Sequence, residues 1–343
     1  MMRTKWIDCL NAIENANCIA VFMHKSVDGD AVGSAYALAA ALRRSGKAVC
    51  VFMGEECPDD LKFLMDEDIP TVTTEAEKFN AAKEEGAFDL AIAVDCATAD
   101  RMSSACKEVF LKIPKSIRID HHLPCEGSDF ADIIAADPKW AAASEGLWDF
   151  LKMYCDGKRC PLPDRDVAIK LYTGILTDTG RFVYSCTTGN TLRTVAELVD
   201  ITGTDLNWIA RSLFDVKPER VTRLLAESYN KAERFFEGKV TYLYLSLADF
   251  EKAGALSSDS NAIPPALMNV MGTEIAVFAR EIVRSDGSVE IKVSMRSTTD
   301  YNVAAICNIF GGGGHACASG CSICEDSDTV KKMILDEIGK IMD

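Results

Sequence analysis

The sequence predicts an α/β protein of two domains, a first domain built on a parallel sheet and a smaller α/β domain after it. The length of 343 residues exceeds the ~100–200 residues of a typical domain. In the first half, short apolar runs alternate with helical patterns, which is typical of a parallel sheet covered on both faces. Strand patterns return near the C-terminus, after a long helical segment.

The elements of the first half follow one another in order. The predicted strands are residues 18–23, 48–53, 89–94 and 116–119, and the predicted helices are 31–44, 141–154 and 166–176. Each strand is a short apolar run without strict alternation, as expected when both faces of the sheet are buried.

The second half begins with residues 188–231, which have a helical pattern and no strong strand. Three strand patterns follow, VTYLYLSL, EIAVFAREIV and VEIKVSM, and a helical stretch over 302–310 leads into four consecutive glycines. We therefore predict one domain over residues 1–190, a helical connector over 191–230 and a second domain over 231–343.

Charge and hydropathy limit the partners. The chain has 52 acidic and 37 basic residues, a net charge of −15, whereas binding long or duplex nucleic acid needs a basic face. A small anionic ligand at one local cationic site remains compatible with this charge. No apolar run reaches the ~18 residues that span a bilayer, and residues 1–17 lack the apolar core of a secretory signal. We expect a cytoplasmic protein without a membrane partner.

Carboxylates and imidazoles cluster after the predicted strands. Such residues follow the first, third and fourth strands, and one more lies in the segment GILTDTGRF: His24, Asp28 and Asp30; Asp95; Asp120, His121 and His122; and Asp178. Because the carboxyl ends of parallel strands meet at one edge of a sheet, ligand sites gather there. The motifs therefore predict one shared site.

The residue types indicate a metal centre. Asp and neutral His form an oxygen–nitrogen ligand set that suits Mn²⁺ or Mg²⁺ better than a thiolate-binding metal. These ligands are too many for one ion, and carboxylates clustered without cations would repel one another. Two divalent ions ~3.5–4 Å apart resolve both problems. Singly, each motif has a simpler interpretation, such as a turn for Asp-Gly-Asp or a helix cap for Asp95, but the four together favour the metal centre.

The order HxxxDxD, VD, DHH and GILTDTGRF resembles the DHH phosphoesterase superfamily. The segment GGGGH, between SMRS and CASG, resembles the DHHA1 substrate domain of that superfamily. Length and domain pairing are most similar to its oligoribonuclease (nanoRNase) and pAp-phosphatase branch. The resemblance implies a DHH catalytic domain over 1–190, a DHHA1 substrate-binding domain over 231–343, and an active site in the cleft between them.

The resemblance also implies a role for each motif residue. One metal would be held by His24 and Asp28, and the other by Asp30 and His121. Asp95 would bridge the two metals, and Asp178 would complete the set. As catalytic residues, His122 would face the substrate phosphate and Asp120 would orient a neighbouring histidine. A hydroxide shared by the two metals would be the nucleophile.

A phosphate-binding loop is predicted in the second domain. Four glycines often form a flexible linker, but this run lies between an apolar helical stretch and a compact segment. Backbone N–H groups of glycines can approach an anion closely, and an arginine can bind phosphate through two hydrogen bonds. A solvated strand-end arginine is the alternative. The predicted substrate-binding residues are Gly312, Gly313, Gly314, His315 and Arg296.

Three cysteines near the C-terminus raise the question of zinc. Cys321 and Cys324 have CxxC spacing, and Cys317 lies nearby. A structural zinc needs a fourth ligand, and without a second CxxC either Cys307 or His315 would have to serve. We therefore predict that these cysteines are reduced, buried apolar residues.

The resemblance implies a phosphodiesterase and phosphatase with two Mn²⁺ per site, or Mg²⁺ or Co²⁺ in their place. It would hydrolyse short oligoribonucleotides (nanoRNA, pApA) to mononucleotides, and pAp to AMP. One alternative is an inorganic pyrophosphatase or exopolyphosphatase on the same metal centre, and another is an inactive nucleotide-binding sensor. The absence of GxGxxG after the first strand disfavours a nicotinamide-binding enzyme. The expected partners are short oligoribonucleotides or nucleotide phosphates. The sequence leaves open whether the chain forms a homodimer.

Overall fold

A computed structural model describes most of the chain: residues 2–73, 88–156, 164–203, 206–284, 287–298 and 300–342. Within these ranges the side chain of His315 is not described. The chain divides into two compact units, Met1–Asp215 and Val216–Asp343. The limits predicted from the sequence, 1–190 and 231–343 for the two domains and 191–230 for the connector, remain predictions. Among the described residues, no helix is both long enough and apolar enough to cross a membrane.

The described part of the first unit is built on a six-stranded sheet. Its strands are β1 (Cys18–Phe22), β2 (Ala48–Phe52), β3 (Thr71–Val72), β4 (Leu90–Val94), β5 (Ser116–Asp120) and β6 (Ile133–Ala136). They lie in the order β3-β2-β1-β4-β5-β6, and every pair is parallel. The predicted parallel sheet is confirmed.

Helices of the first unit connect and cover these strands. They are α1 (Met2–Asn15), α2 (Gly29–Arg44), α3 (Ser104–Lys112), α4 (Ala143–Asp156), α5 (Arg165–Asp178), α6 (Gly189–Thr202) and α7 (Asn207–Ala210). All four strands and three helices predicted for the first half are present, with ends within two residues of the predicted ones. The short strands β3 and β6 and the helices α1 and α3 were not predicted.

Both faces of the first sheet are buried, and alternate residues of a strand enter different cores. In β1, Ile19 and Val21 pack into the core formed with α1, α2, α4 and α5. Ala20 and Phe22 pack on the opposite face, where α3 lies. This two-sided burial explains why the strands read as continuous apolar runs.

Helices α2 and α5 pack very closely, which brings the end of α5 to the edge of the sheet. A Cβ on Gly33 would lie 2.4 Å from the carbonyl oxygen of Lys170, so only glycine fits this contact. Lys170 is buried and is paired with Asp66 and Asp166. The close approach fixes where α5 ends, at Asp178.

The described part of the second unit contains a mixed sheet. Its strands are β7 (Glu233–Phe235), β8 (Val240–Leu245), β9 (Ile275–Val283), β10 (Val289–Ser297), β11 (Gly313–His315) and β12 (Ala318–Ile323), in the order β11-β12-β10-β9-β8-β7. Of the described strand pairs in this second sheet, β8–β9 is parallel and the others are antiparallel. The helices are α8 (Glu219–Lys231), α9 (Leu247–Ala253), α10 (Ile263–Met268), α11 (Val303–Ile309) and α12 (Ser327–Met342).

The helices cover the second sheet unequally. Residues of α11 and α12 form a core with β8, β9, β10 and β12 on one face. On the other face, residues of α8, α9 and α10 form a smaller core with β8 and β9 alone. The residues predicted as a connector are divided between the units, since α6 and α7 contribute Leu198 and Ile209 to the core of the first unit and α8 lies in the second.

Candidate metal centre

The loops that follow β1, β4 and β5 carry the predicted ligands to one edge of the first sheet. His24 lies two residues after β1, Asp95 directly follows β4, and Asp120 is the last residue of β5. Asp28 caps α2, where its Oδ1 accepts hydrogen bonds from the backbone N–H groups of Asp30 (3.1 Å) and Ala31 (3.0 Å). The cap orients the helix start so that Asp30 points into the edge of the sheet.

One group of potential metal ligands consists of His24, Asp28 and Asp95, whose ligand atoms lie within 4.8 Å of one another. His24 Nε2 lies 3.2 Å from Asp95 Oδ2 and 3.5 Å from Asp28 Oδ2. On the other side of the ring, His24 Nδ1 donates to the carbonyl of Lys25 at 2.7 Å. This hydrogen bond orients Nε2 towards the carboxylates, as ligating imidazoles require.

A second group consists of Asp30, His121 and Asp178. His121 Nε2 lies 3.2 Å from Asp178 Oδ2. The fully buried carboxylate of Asp30 accepts hydrogen bonds from two backbone N–H groups at the start of α4, those of Ala143 (2.6 Å) and Ser144 (2.9 Å). The carboxylate is therefore held in one orientation by a segment more than 100 residues away.

Asp95 lies between the two groups. Its Oδ2 faces His24, and its Oδ1 lies 3.4 Å from His121 Nε2. The side chain is buried, yet Oδ1 has no hydrogen bond of good geometry within the described residues. Asp95 also has a φ of 49°, a left-handed conformation that is uncommon outside glycine and concentrates at functional sites. A buried carboxylate oxygen without a donor, between two imidazole–carboxylate groups, fits a cation on each side.

The pKa values of the cluster also indicate that its carboxylates lack enough positive charge around them. Burial and the charge of Asp95 raise the pKa of Asp30 to about 7, and burial with the charges of Asp30 and Asp95 raises that of Asp178 to about 9. Burial acts to lower the pKa of His24, but Asp28 and Asp95 raise it to about 11. In the same way, Asp95 and Asp30 raise the pKa of His121 to about 10.

Asp120 and His122 form a separate pair beside Asp95. His122 Nδ1 lies 2.7 Å from Asp120 Oδ1, and Asp120 Oδ2 binds the guanidinium of Arg118. Burial acts to raise the pKa of Asp120, but His122 and Arg118 hold it below its ordinary value. Asp95, Asp120, His121 and His122 also lie close enough to form a ligand group, although Nδ1 of His122 is already engaged by Asp120.

Arg118 is a site residue that the motifs did not reveal. It is buried in β5, where it also donates to the carbonyls of Cys96 (2.9 Å) and Ser128 (3.2 Å). The signal was present in the sequence, because a charged residue in the middle of a short strand of a buried parallel sheet is unusual.

The predicted substrate-binding residues lie in the second unit. Arg296, near the end of β10, is partly buried and donates to the carbonyl of Met295. Gly313, Gly314 and His315 form β11, which pairs with β12, so the last two glycines of the run lie in one strand of a hairpin. A Cβ on Gly312 would lie 2.2 Å from the carbonyl of Gly320, and one on Gly314 would lie 2.5 Å from that of Ala318. Close packing therefore explains two of the glycines, and the His315 side chain lies outside the described residues.

The cysteines of the second unit do not form a metal site in the part of the chain that the structure describes. Cys321 is buried, as predicted, and its thiol contacts that of Cys307. Cys317 is partly buried, and its thiol lies 3.6 Å from the carbonyl oxygen of Thr298. The prediction is wrong for Cys324, which is exposed, because β12 ends one residue before it.

Comparison with known proteins identifies the family. Models of the DHH family N-terminal domain and of the DHHA1 domain match residues 18–175 and 237–342. The bifunctional oligoribonuclease and PAP phosphatase NrnA of Thermus thermophilus is 30% identical over 318 residues, which cover 92% of this chain and 86% of that protein. The chain belongs to the DHH–DHHA1 family of phosphoesterases. The resemblance seen in the motifs is thereby confirmed.

Solved structures agree with the fold of this DHH–DHHA1 phosphoesterase. An exopolyphosphatase-related protein from Bacteroides fragilis superimposes with a TM-score of 0.85 at 22% identity, covering 99% of this chain and 98% of that one. The exonuclease RecJ bound to manganese superimposes with a TM-score of 0.54 at 15% identity, covering 97% and 93%. At these identities the likeness concerns the fold alone, and it confirms the predicted fold class.

Proposed function

We propose that this chain hydrolyses short oligoribonucleotides, such as nanoRNA and pApA, to mononucleotides, and pAp to AMP, with two divalent cations. One observation carries the proposal: two groups of one imidazole and two carboxylates meet at Asp95. The substrate class is supported by the Thermus thermophilus relative, which is named for these two activities.

The residues that would hold the cations follow from the two groups. His24 and Asp28 would bind one ion, Asp30, His121 and Asp178 the other, and Asp95 both. Bound there, two such ions would lower the pKa of a water molecule between them and stabilise negative charge on the phosphate. The oxygen–nitrogen ligand set suits Mn²⁺, with Mg²⁺ or Co²⁺ as alternatives, and the RecJ structure contains manganese.

The chain's own side chains would position the phosphate. His122 is partly exposed, and its Nδ1 is engaged by Asp120, so that Nε2 is left to donate a hydrogen bond to a phosphate oxygen. Arg118 keeps Asp120 ionised and in place, which fixes the orientation of the His122 ring. In the second unit, Arg296 and the backbone of Gly313 would bind another phosphate group of the substrate.

The test is an assay of metal-depleted protein on 5′-labelled pApA, on pAp and on pyrophosphate, with and without Mn²⁺. We expect mononucleotide from pApA and AMP from pAp only when the metal is present. Asp95→Asn and His121→Ala should abolish both activities while the circular dichroism spectrum is retained. Asp129→Asn is the matched control, since Asp129 is an exposed carboxylate after β5 and should leave the rates unchanged.

Three results would contradict the proposal. Undiminished hydrolysis by Asp95→Asn would show that the cluster is not the catalytic centre. Faster phosphate release from pyrophosphate than from pAp would indicate a pyrophosphatase. Tight binding of pApA without turnover in Mn²⁺ would indicate a nucleotide sensor.

A further inference from the structure

One face of the second sheet carries three basic side chains, Arg280 on β9 and Lys292 and Arg296 on β10. Lys292 is directly opposite Arg280 in the antiparallel register, so the two project from the same face. Residues 292, 294 and 296 alternate onto that face as well. We name Arg280, Lys292, Ser294 and Arg296 the cationic strip. At ~3.4 Å per residue, it extends for about 14 Å along β10.

The charges of the cationic strip are not neutralised by carboxylates. Within the described residues, no ion pair involves any of its three basic side chains, and the side-chain hydrogen bonds of Arg280 go to Ser257. Glu290, two residues before Lys292 on the same face, is paired with Arg284 at 3.4 Å instead. Like charges directly opposite one another destabilise a sheet. Such an arrangement, in a chain of net charge −15, is explained if an anion occupies this face.

Small residues of β12 lie beside the strip. Across the β10–β12 register, small residues lie next to each member of the strip on β10: Ala318 beside Arg296, Gly320 beside Ser294, and Ser322 beside Lys292. The core on this face contains residues of β8 and β9 and none of β10 or β12. Helix α10 lies against β10, and Ser294 and Arg296 are partly buried, whereas Lys292 is exposed. An extended ligand can therefore lie along β12 and reach Lys292 and the accessible part of Arg296.

At Arg280 the strip meets a cavity of about 480 Å³. Its walls include the apolar side chains of Leu247, Phe250 and Leu256, together with Ser257, Arg280 itself and two carboxylates. Those carboxylates are Glu251 and Glu281, and Glu281 accepts hydrogen bonds from the Tyr244 hydroxyl and the Leu247 backbone N–H. Apolar walls with one guanidinium fit a nucleobase attached to a phosphate. The strip thus combines cations for several phosphates with a cavity for a base.

We infer that the cationic strip binds phosphates of an oligoribonucleotide other than the one being hydrolysed. Arg280 and Lys292 then extend the phosphate site predicted at Arg296, and they favour substrates of several nucleotides over dinucleotides. This inference rests on the proposed function, since it names the part of the chain that selects substrate length.

The experiment compares Lys292→Gln and Arg280→Gln with wild type on pApA, pAp and a 5′-phosphorylated pentaadenylate. We expect the KM for the pentanucleotide to rise about tenfold, with kcat unchanged and with rates on pApA and pAp within twofold of wild type. The salt dependence of pentanucleotide binding should weaken by ~0.7 in log–log slope for each contact removed. The control is Lys332→Gln, an exposed lysine on α12, which packs on the opposite face of the sheet.

Binding in EDTA, measured by the fluorescence anisotropy of labelled pentaadenylate, separates this inference from the proposed function. Weaker binding by Lys292→Gln and not by Lys332→Gln supports the strip even if the wild-type protein hydrolyses none of the three substrates. Equal losses on the dinucleotide and the pentanucleotide, or equal binding by all variants, would overturn it. Removal of one of two opposed cations should leave the Tm unchanged or higher, so a fall in Tm with lost binding would also count against it.

Discussion

Mn²⁺ binding at neutral pH should displace protons from the cluster, and the structure indicates how many. In the metal-free protein the pKa values of His24, His121 and Asp178 are raised to about 11, 10 and 9, so each group holds a proton at pH 7. Asp30, with a pKa of about 7, holds about half a proton. Because metal ligands must be deprotonated, saturation with Mn²⁺ should release about three to four protons.

The sign of the pH dependence follows from these raised values. Protons and cations compete for the same atoms, so the Mn²⁺ affinity should rise with pH, by about tenfold per pH unit for each proton displaced. The dependence should be steepest near pH 7, should lessen as Asp30 and Asp178 lose their protons, and should flatten only above about pH 11, where His121 and His24 have also lost theirs.

Titration calorimetry in two buffers of different ionisation enthalpy, at one pH, measures this proton release. Asp178→Asn removes one titrating ligand and should lower the number released at saturation by about one. Asp129→Asn changes the same type of residue outside the cluster and should leave the number unchanged. Release of less than one proton by the wild-type protein would refute the assignment of these imidazoles and carboxylates as the ligands.

Two glycine substitutions, each with a second glycine substitution as its control, test how packing supports the metal cluster and the β11–β12 hairpin. A Cβ on Gly174 would lie 2.2 Å from Ser144 Oγ and 2.6 Å from Asp30 Oδ1, so Gly174→Ala should lower the free energy of unfolding by ~1–3 kcal/mol and weaken Mn²⁺ binding. Gly189→Ala is also at a helix position, and its Cβ would lie 3.6 Å from Arg193 Nη1, an ordinary contact distance. It should change the stability by less than ~0.5 kcal/mol, and equal effects of the two substitutions in calorimetry would contradict the packing argument. Gly312→Ala should lower the Tm of the second unit, because its Cβ would lie 2.2 Å from the carbonyl oxygen of Gly320. In Gly313→Ala the Cβ would lie 3.6 Å from Asn308 Oδ1, an ordinary contact distance, so the Tm should not change. A loss of pApA hydrolysis in Gly313→Ala at unchanged Tm would then indicate a substrate contact, and a loss of Tm would indicate a packing role instead.

The main strands could be predicted because each is buried on both faces. A strand such as β4, buried at every residue, must be apolar throughout, and that pattern is visible in one sequence. The strand β3 has only two residues and lies at the edge of the sheet, so it leaves almost no pattern. Helix α1 was not predicted, because polar and charged residues separate its few apolar ones and only one side is buried, that of Trp6, Cys9, Leu10 and Ile13.

The candidate site could be predicted as far as its residues follow strands in the chain. His24, Asp95 and His121 come together because parallel strands end at one edge, a property of topology that the sequence pattern reveals. The hydrogen bonds that hold the Asp30 carboxylate come from backbone N–H groups of residues 143 and 144. Any residue except proline supplies such a donor, so no side-chain motif indicates them.

The distribution of charge decides more about ligand binding than its total. A net charge of −15 repels long polyanions at a distance, but this repulsion is screened beyond ~8 Å at physiological salt. Within that range, the buried carboxylates at Asp95 would be compensated by cations, and the cationic strip has no carboxylate partners among the described residues. A short phosphate chain can contact one such strip without approaching much of the acidic surface, whereas a long one cannot. If the proposed function holds, we expect the acidic composition and the local cations to select substrate length together, and we expect lower ionic strength to sharpen the preference for a pentanucleotide over long RNA.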